Sequence, residues 1–276
     1  MKIPSDVKKD VQTALTEDIG SGDITAALIP SDKQAEGRII CKDTGVLCGI
    51  PWADETFRQL DSNVSISWQV ADGDPIEMGQ LLCRIEGPAR AIMSGERTAL
   101  NFLQTLSATA TQTATLVAEI SHTAATLLDT RKTLPGMRAA QKYAVQCAGA
   151  KNHRMGLFDA YLIKENHIAS CGGIAEAISS ARLLTPGKTI EIEVRDLEEL
   201  ELALQAEADI IMLDNFSLSD LATAVNRNAG KAKLEASGGI EAGQLVKIAE
   251  TGVDYISVGA ITKHCRAIDL SLLIDS

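Results

Sequence analysis

From about residue 124 to residue 260 the chain repeats one pattern: a short apolar run, a polar loop, then a stretch of helical periodicity. Strand-like runs fall at 125–129 (ATLLD), 160–164 (AYLIK), 189–194 (TIEIEV), 209–213 (DIIML), 233–236 (KLEA) and 254–258 (DYISV). Helical stretches occupy 137–148, 174–184, 196–206, 217–228 and 241–251. A chain that alternates in this way buries its strands as right-handed βαβ crossovers feeding a parallel sheet. Six such strands make an open sheet or an incomplete barrel.

The first ~110 residues read differently. Pro4-Ser5 precedes Val7, Val11 and Leu15, whose i, i+4, i+8 spacing predicts a short amphipathic helix. Residues 18–31 read as a loop. Val64, Ile66, Trp68 and Val70 alternate with Ser65, Ser67 and Gln69, a half-buried strand. After the turn Asp72-Gly73-Asp74-Pro75, Leu81, Cys83 and Ile85 make the next strand. Residues 89–120 are helix-rich, and no Gly or Pro lies between Gly95 and Pro135, so one long helix or two broken near Ser107 is expected. Four Phe, three Tyr and two Trp leave the core to Ala, Leu, Ile and Val, which favours α/β layering.

Each C-terminal strand ends in polar chemistry. Thr130-Arg131-Lys132 follow the first, and Lys164 ends the second ahead of Glu165-Asn166-His167. Glu191 and Glu193 lie in the third, Asp214-Asn215 close the fourth, and Ser237-Gly238-Gly239 and Val258-Gly259-Ala260 close the last two. In (β/α) barrels the C-terminal strand ends build the active site. Strand parity groups Glu191 with Glu193, Asp129 with Arg131, Met212 with Asp214 and Glu235 with Ser237, so these side chains can converge on an axial pocket. Glu191, Glu235 and Asp129 are equally readable as structural ion pairs across a barrel. Arg138, Lys142 and Lys188 read as solvated charges, and His122 and His264 as surface residues. Lys164 is either a Schiff-base lysine or an anion ligand. The two Gly-containing turns after the last strands suit a phosphate, since backbone N–H groups can approach it closely.

The formal charge is −11, which excludes a general nucleic-acid binder and docking on an anionic membrane. That charge is unevenly spread. Residues 129–168 carry seven basic side chains against three acidic ones, a local excess of +4, while the remainder carries −15. A cationic pocket in an acidic protein suggests a small polyanion as ligand. No apolar run approaches the ~20 residues of a spanning helix, and the N-terminus MKIPSDVKKDVQ lacks a signal-peptide core. The six Cys include no C-x-x-C pair, so buried or neutral thiols and a cytoplasmic setting are expected.

These residues resemble the quinolinate phosphoribosyltransferase (decarboxylating nicotinate-nucleotide pyrophosphorylase) family. The resemblance runs nearly end to end, through Glu17-Asp18, Gly22-Asp23-Ile24-Thr25, Gly95 to Asn101 (GERTALN), Asp129 to Thr133 (DTRKT), Lys151 to Leu157 (KNHRMGL) and Leu162 to His167 (LIKENH). It continues through Glu193, Leu213-Asp214-Asn215, Ser237-Gly238-Gly239 and Val258-Gly259-Ala260.

The resemblance implies an N-terminal α/β sandwich domain over 1–112, to which 267–276 return, and an incomplete α/β barrel over 113–266. It implies phosphoribosyl transfer from phosphoribosyl pyrophosphate to quinolinate with decarboxylation, giving nicotinate mononucleotide, pyrophosphate and CO₂ in NAD biosynthesis, with Mg²⁺. The acid would be held by Arg97, Arg131, His153, Arg154 and Lys164, with Thr130 and Lys132 beside it. Lys132, Lys164, Glu193 and Asp214 would act at the reacting centre, the last two holding ribose hydroxyls and the shell of the substrate-borne metal. Ser237, Gly238, Gly239, Val258, Gly259 and Ala260 would bind the 5′-phosphate. Arg97 would act across the interface of a homodimer or higher oligomer. Two departures stand out: Ala148 and Ala150 interrupt the family's Gly run around Gly149, and Leu134 stands where Thr is common. Three alternatives differ in chemistry: a molybdenum-transport-associated paralogue with another substrate, an aldolase using Lys164, and a non-catalytic nucleotide sensor.

Overall fold

The protein, described here by a computed structural model over residues 2–240 and 243–275, parts into two compact units. The first comprises Met1–Ala114, Thr133–Gly149 and Ile261–Ser276, the second Thr115–Lys132 and Ala150–Ala260. In chain order the elements begin with α1 (Val7–Ile19), β1 (Gln34–Cys41), β2 (Gly45–Val46), α2 (Ile50–Leu60), β3 (Ser65–Trp68), β4 (Pro75–Ile76), β5 (Leu81–Pro88) and α3 (Ala89–Glu119). There follow β6 (Thr126–Leu128), α4 (Arg138–Cys147), β7 (Tyr161–Ile163), α5 (Glu165–Cys171), α6 (Ile174–Leu184), β8 (Ile190–Val194) and α7 (Leu197–Gln205). The chain ends with β9 (Ile210–Asp214), α8 (Leu218–Asn228), β10 (Lys233–Ser237), α9 (Leu245–Ala249), β11 (Tyr255–Ser257), α10 (Ala260–Lys263) and β12 (Leu270–Ile274).

The first unit is built on an antiparallel sheet ordered β12-β1-β5-β3. Its apolar face, including Ile39, Cys83, Ile85 and Leu272, packs on Phe57 of α2 and on Ile92, Leu100 and Leu103 of α3. Neither β1 nor α2 is announced by a local sequence pattern. Gly37 and the charged Glu36 and Arg38 blur the strand pattern of β1, yet Gly37 is what lets β12 close in: a Cβ there would stand 2.9 Å from the Leu273 carbonyl oxygen. In α2 the first N–H groups are satisfied from a distance, Gly49 and Ile50 donating to Asp72 Oδ1 at 2.9 and 3.1 Å. The helix through Ser107 is single and unbroken, 31 residues long. Ser107 does not break it because its hydroxyl serves another segment, accepting from Cys48 N–H at 2.9 Å and donating to Cys48 C=O at 3.2 Å.

Helix α4 counts with the first unit, so the division is more interleaved than a cut at 112 with only the last ten residues returning. The reason is its apolar face. Ala140, Tyr143 and Ala144 join Trp52, Phe102 and Leu106, together with Val7, Val11 and Leu15 of α1, in one cluster. Six consecutive residues, 140–145, are buried, so α4 has no solvated side there. Lys142, expected as a solvated charge, is therefore corrected to a fully buried one. Lys188 is solvated as expected, donating to Asp159 C=O at 2.9 Å, and Arg138 is half-buried against Thr133 Oγ1 at 3.2 Å.

The second unit carries a parallel sheet ordered β6-β11-β10-β9-β8-β7. Strands β7 to β11 sit in chain order and β6 joins beyond β11, so β6 and β7 are the two edges. This is the incomplete (β/α) barrel. Ile190, Ile192 and Val194 are buried on the side where β8 meets α6 and α7, as strand parity requires. Helix α5 is not announced by the sequence, because it starts immediately after its N-cap Lys164 with no intervening loop. The helix expected at 241–251 is observed as α9 over Leu245–Ala249, and positions 241 and 242 lie outside the described residues. No helix among the described residues is long and apolar enough to cross a membrane.

Candidate active site

The segment after α4 supplies the most informative part of the site. Lys151 forms a parallel bridge to Leu128 at the outer edge of β6, with Lys151 N–H donating to Leu127 C=O at 3.0 Å. The chain then turns inward, because Asp129, fully buried, accepts from His153 N–H through Oδ1 at 2.8 Å. This delivers His153 and Arg154 to the barrel's C-terminal end without a strand of their own. After β6, Thr130 Oγ1 accepts from Lys132 N–H at 3.0 Å and curls the chain so that Arg131 and Lys132 reach the same place. The Lys132 stem lies across Gly259, where a Cβ would come within 2.8 Å of Lys132 Cδ.

A cavity of about 170 Å³ results. Thr130, Arg131, Lys132, His153, Arg154 and Lys164 line it, with Leu162, Met212, Glu235, Ser237 and Ser257. Seven of the substrate-binding residues expected from sequence thus meet on its walls, with Met212 and Glu235 from the strand-parity grouping beside them. Arg154 Nε is buried with no hydrogen-bond partner among the described residues. Burial, and then the neighbouring Arg131 cation, hold this guanidinium below its ordinary value. Two adjacent guanidinium groups with an unmet N–H form a receptor for an anion.

Lys164 is placed at the start of α5, where its N–H donates to His167 Nδ1 at 3.0 Å. Its Nζ makes an ion pair with Glu193 Oε2. A Schiff-base lysine needs a desolvated, neutral amine, whereas this one is half-exposed and held by a carboxylate. Asp214 ends β9 in register with Ser237 of β10. It accepts from Asn215 Nδ2 at 2.9 Å. Asn215 adopts a left-handed φ of 56° and donates its N–H to Ser237 C=O at 2.9 Å. Gly238 is required here, since its φ is +129° and a Cβ would stand 2.5 Å from Asn215 Oδ1.

A second hollow of about 150 Å³ adjoins the first through Ser237, lined by Asn215, Ser237, Gly238 and Gly239 with Phe216 and Gln244 among others. Val258 is buried beyond β11, and Gly259 and Ala260 follow it into α10. Arg97 lies on α3 in the first unit, its side chain 57% exposed with Glu96 at 4.0 Å.

Two of the lining residues, His153 and Glu235, belong with Glu191 to one buried group. His153 Nε2 is 2.8 Å from Glu191 Oε2 and 3.6 Å from Glu235 Oε2, with both carboxylates buried. They are contributed by β8 and β10, two strands apart, and their parity with Glu193 and Ser237 was the available signal. Burial pushes the Glu235 carboxyl up to about 8, the neighbouring Glu191 adds to the rise, and His153 opposes it. The native state then binds a proton that the unfolded chain releases above its ordinary carboxylate value. This contribution to stability is complete below about pH 4.5 and is lost as pH climbs through about 8. Glu235→Gln is neutral throughout, so its melting midpoint should exceed the wild-type value at about pH 9 and match it near pH 5. Equal midpoints at the alkaline end would show that Glu235 does not carry this cost.

Comparison with known proteins places this geometry. Residues 23–107 match the family model described as quinolinate phosphoribosyl transferase, N-terminal domain, and residues 109–273 match that of the C-terminal domain. The chain is 40% identical to quinolinate phosphoribosyltransferase (decarboxylating) 1b of Nicotiana tabacum, covering 98% of this chain and 83% of that protein. It is 41% identical to the chloroplastic nicotinate-nucleotide pyrophosphorylase (carboxylating) of Oryza sativa subsp. japonica, covering 98% and 78%. The solved structure of the nicotinate-nucleotide pyrophosphorylase from Francisella tularensis superposes with a TM-score of 0.96 at 51% identity, covering 99% of this chain and 98% of that one. The corresponding Ehrlichia chaffeensis structure gives 0.93 at 38% identity, covering 100% of both chains.

Proposed function

We infer the activity from one premise: the chain belongs to the quinolinate phosphoribosyltransferase family. The protein is a pentosyl-transferring enzyme that joins quinolinate to phosphoribosyl pyrophosphate and releases pyrophosphate and CO₂, forming nicotinate mononucleotide for NAD synthesis. The named relatives support this reading and not a molybdenum-associated paralogue. The observation that carries it is the cavity uniting Arg131, His153, Arg154 and Lys164, four groups able to meet two adjacent carboxylates.

The residues divide the work by position. Arg131 and Arg154 offer forks to the dicarboxylate, with His153 and Lys164 beside them. Lys132, extended along Gly259, is placed to serve the acid and the departing pyrophosphate. The Ser237–Gly239 turn and the Val258–Ala260 turn present backbone N–H groups to the 5′-phosphate. The pyridine nitrogen attacks the sugar carbon as pyrophosphate leaves through an oxocarbenium-like state. The cationic nitrogen then stabilises the carbanion left at C2 when CO₂ departs, and that carbon takes up a proton to give nicotinate mononucleotide. No covalent nucleophile is needed, and the protein contributes positioning and electrostatic preorganisation.

Glu193 and Asp214 stand on neighbouring strands and offer hard oxygen donors, already engaged by Lys164 and Asn215. They suit ribose hydroxyls and the outer shell of a substrate-borne Mg²⁺ better than a closed metal cage. When bound, Mg²⁺ neutralises pyrophosphate charge. The exposure of Arg97 supports a role in the site of a second copy, within a cytoplasmic homodimer or larger homo-oligomer.

The test is stoichiometric. With quinolinate labelled in the 2-carboxylate, one CO₂ and one pyrophosphate should appear per nicotinate mononucleotide, dependent on phosphoribosyl pyrophosphate. Binding of both substrates without either product would identify a sensor instead.

A further inference from the structure

Two thiols 99 residues apart in sequence meet in the first unit, Cys48 Sγ donating to Cys147 Sγ at 3.7 Å. Cys48 is fully buried just before α2, its backbone clamped on both sides by the Ser107 hydroxyl. Cys147 is the last residue of α4 and is partly exposed. Its carbonyl oxygen lies 2.9 Å from where a Cβ would stand at Gly73, a residue with φ of +97°, so the end of α4 rests directly on the 71–74 turn. Asp72 in that turn accepts from Gly49 and Ile50 N–H through Oδ1 and from Tyr143 O–H through Oδ2 at 2.8 Å. The carboxylate nearest the sulfurs is thus committed to three protein donors, which favours thiol–thiol chemistry here over a metal. The two thiols are also unequal. Accepting the Cys48 S–H lowers Cys147, while burial pushes Cys48 well up, so Cys147 is the more readily ionised of the two.

We propose that Cys147 and Cys48 are a hydroperoxide-reactive pair, Cys147 the attacking thiol and Cys48 the resolving one, which closes to a disulfide. The Cys147 thiolate attacks one peroxide oxygen. The O–O bond breaks, hydroxide leaves and takes up a proton as water, and Cys147 becomes a sulfenic acid. Cys48 then loses its proton and attacks that sulfur. The S–O bond breaks, and hydroxide leaves with the Cys48 proton as a second water. The thiols together lose two electrons, and one hydrogen peroxide is reduced to two waters. Cys147 is the less buried of the two thiols and so the one placed to meet the oxidant, and Cys48 Sγ lies 3.7 Å from its sulfur.

The experiment treats the full-length protein with stoichiometric hydrogen peroxide, alkylates it under denaturing conditions and maps the peptides by mass. The expected product links the Cys48 peptide to the Cys147 peptide with the loss of two hydrogens. It should form about fivefold or more faster than Cys171 or Cys265 is oxidised, since among the described residues neither of those thiols is hydrogen-bonded to a second thiol. The melting midpoint should rise on oxidation and return with dithiothreitol. Cys48→Ser should trap a dimedone-reactive sulfenic acid at Cys147, and Cys147→Ser should give no linked species. If either variant fails to fold, the wild-type peptide map decides alone. Oxidation of Cys171 or Cys265 ahead of the pair, or Cys147 advancing to sulfinic acid while Cys48 stays alkylatable, would overturn the proposal.

Discussion

Arg131→Ala is expected to lower kcat/KM for quinolinate by roughly 30- to 5,000-fold, equivalent to about 2–5 kcal/mol of transition-state stabilisation. Arg131 shares the cavity with Arg154, His153 and Lys164, and the substrate brings two carboxylates into it. Removing one guanidinium leaves an anion desolvated without its partner, and that penalty exceeds the worth of an exposed ion pair. Arg131→Lys keeps the charge but loses the planar fork, so an intermediate loss is expected. The melting midpoint should move little, because Arg131 follows β6 in an exposed loop and is absent from the core. Steady-state kinetics on both variants test this, and turnover near the wild-type level for Arg131→Ala would remove Arg131 from the acid pocket.

Trp52→Ala is expected to destabilise the fold by about 3–5 kcal/mol, a large part of the ~5–15 kcal/mol that holds a typical domain together. The Trp52 side chain is fully buried. Its ring stacks at 6.4 Å on Phe102 of α3 and tilts at 5.5 Å against Tyr143 of α4, and its Nε1 donates to Asp10 Oδ2 of α1 at 3.1 Å. One indole therefore ties four helices together, since it sits on α2 itself. Truncation opens a cavity and strands the half-buried Asp10 carboxylate, whose value partial burial already raises. Urea unfolding followed by circular dichroism measures the loss, and Trp52→Phe should recover most of the packing but not the hydrogen bond. A loss below ~1 kcal/mol for Trp52→Ala would mean that these helices are held by other contacts.

The barrel strands and most of their crossover helices were legible because period-2 and period-3.6 patterns report directly which side of a backbone is buried. Elements on the first sheet were harder. β1 carries Gly37 and two charges, and α2 is capped by Asp72 from outside its own sequence, so neither announces itself locally. Lys142 shows the same limit from the other direction. A lysine in a polar stretch reads as solvated, and only the burial of α4 all round places it inside.

The cationic segment 129–168, the polar strand ends and the Gly turns are written in the chain, because residue type and strand parity are local properties. From them came the anion pocket, the barrel and the family. Convergence is not local. The bridge of Lys151 to β6 brings His153 and Arg154 to the cavity, and it depends on β6 and β7 being the two edges of an unclosed sheet. The pairing of Glu191 with Glu235 around His153, and of Cys48 with Cys147, likewise depends on distances that no spacing encodes. Burial then changes the chemistry of what has been brought together. It raises the Glu235 carboxyl and the Cys48 thiol, while the hydrogen bond from Cys48 lowers Cys147, because desolvation and hydrogen bonding act between neighbours in space and not between neighbours in sequence.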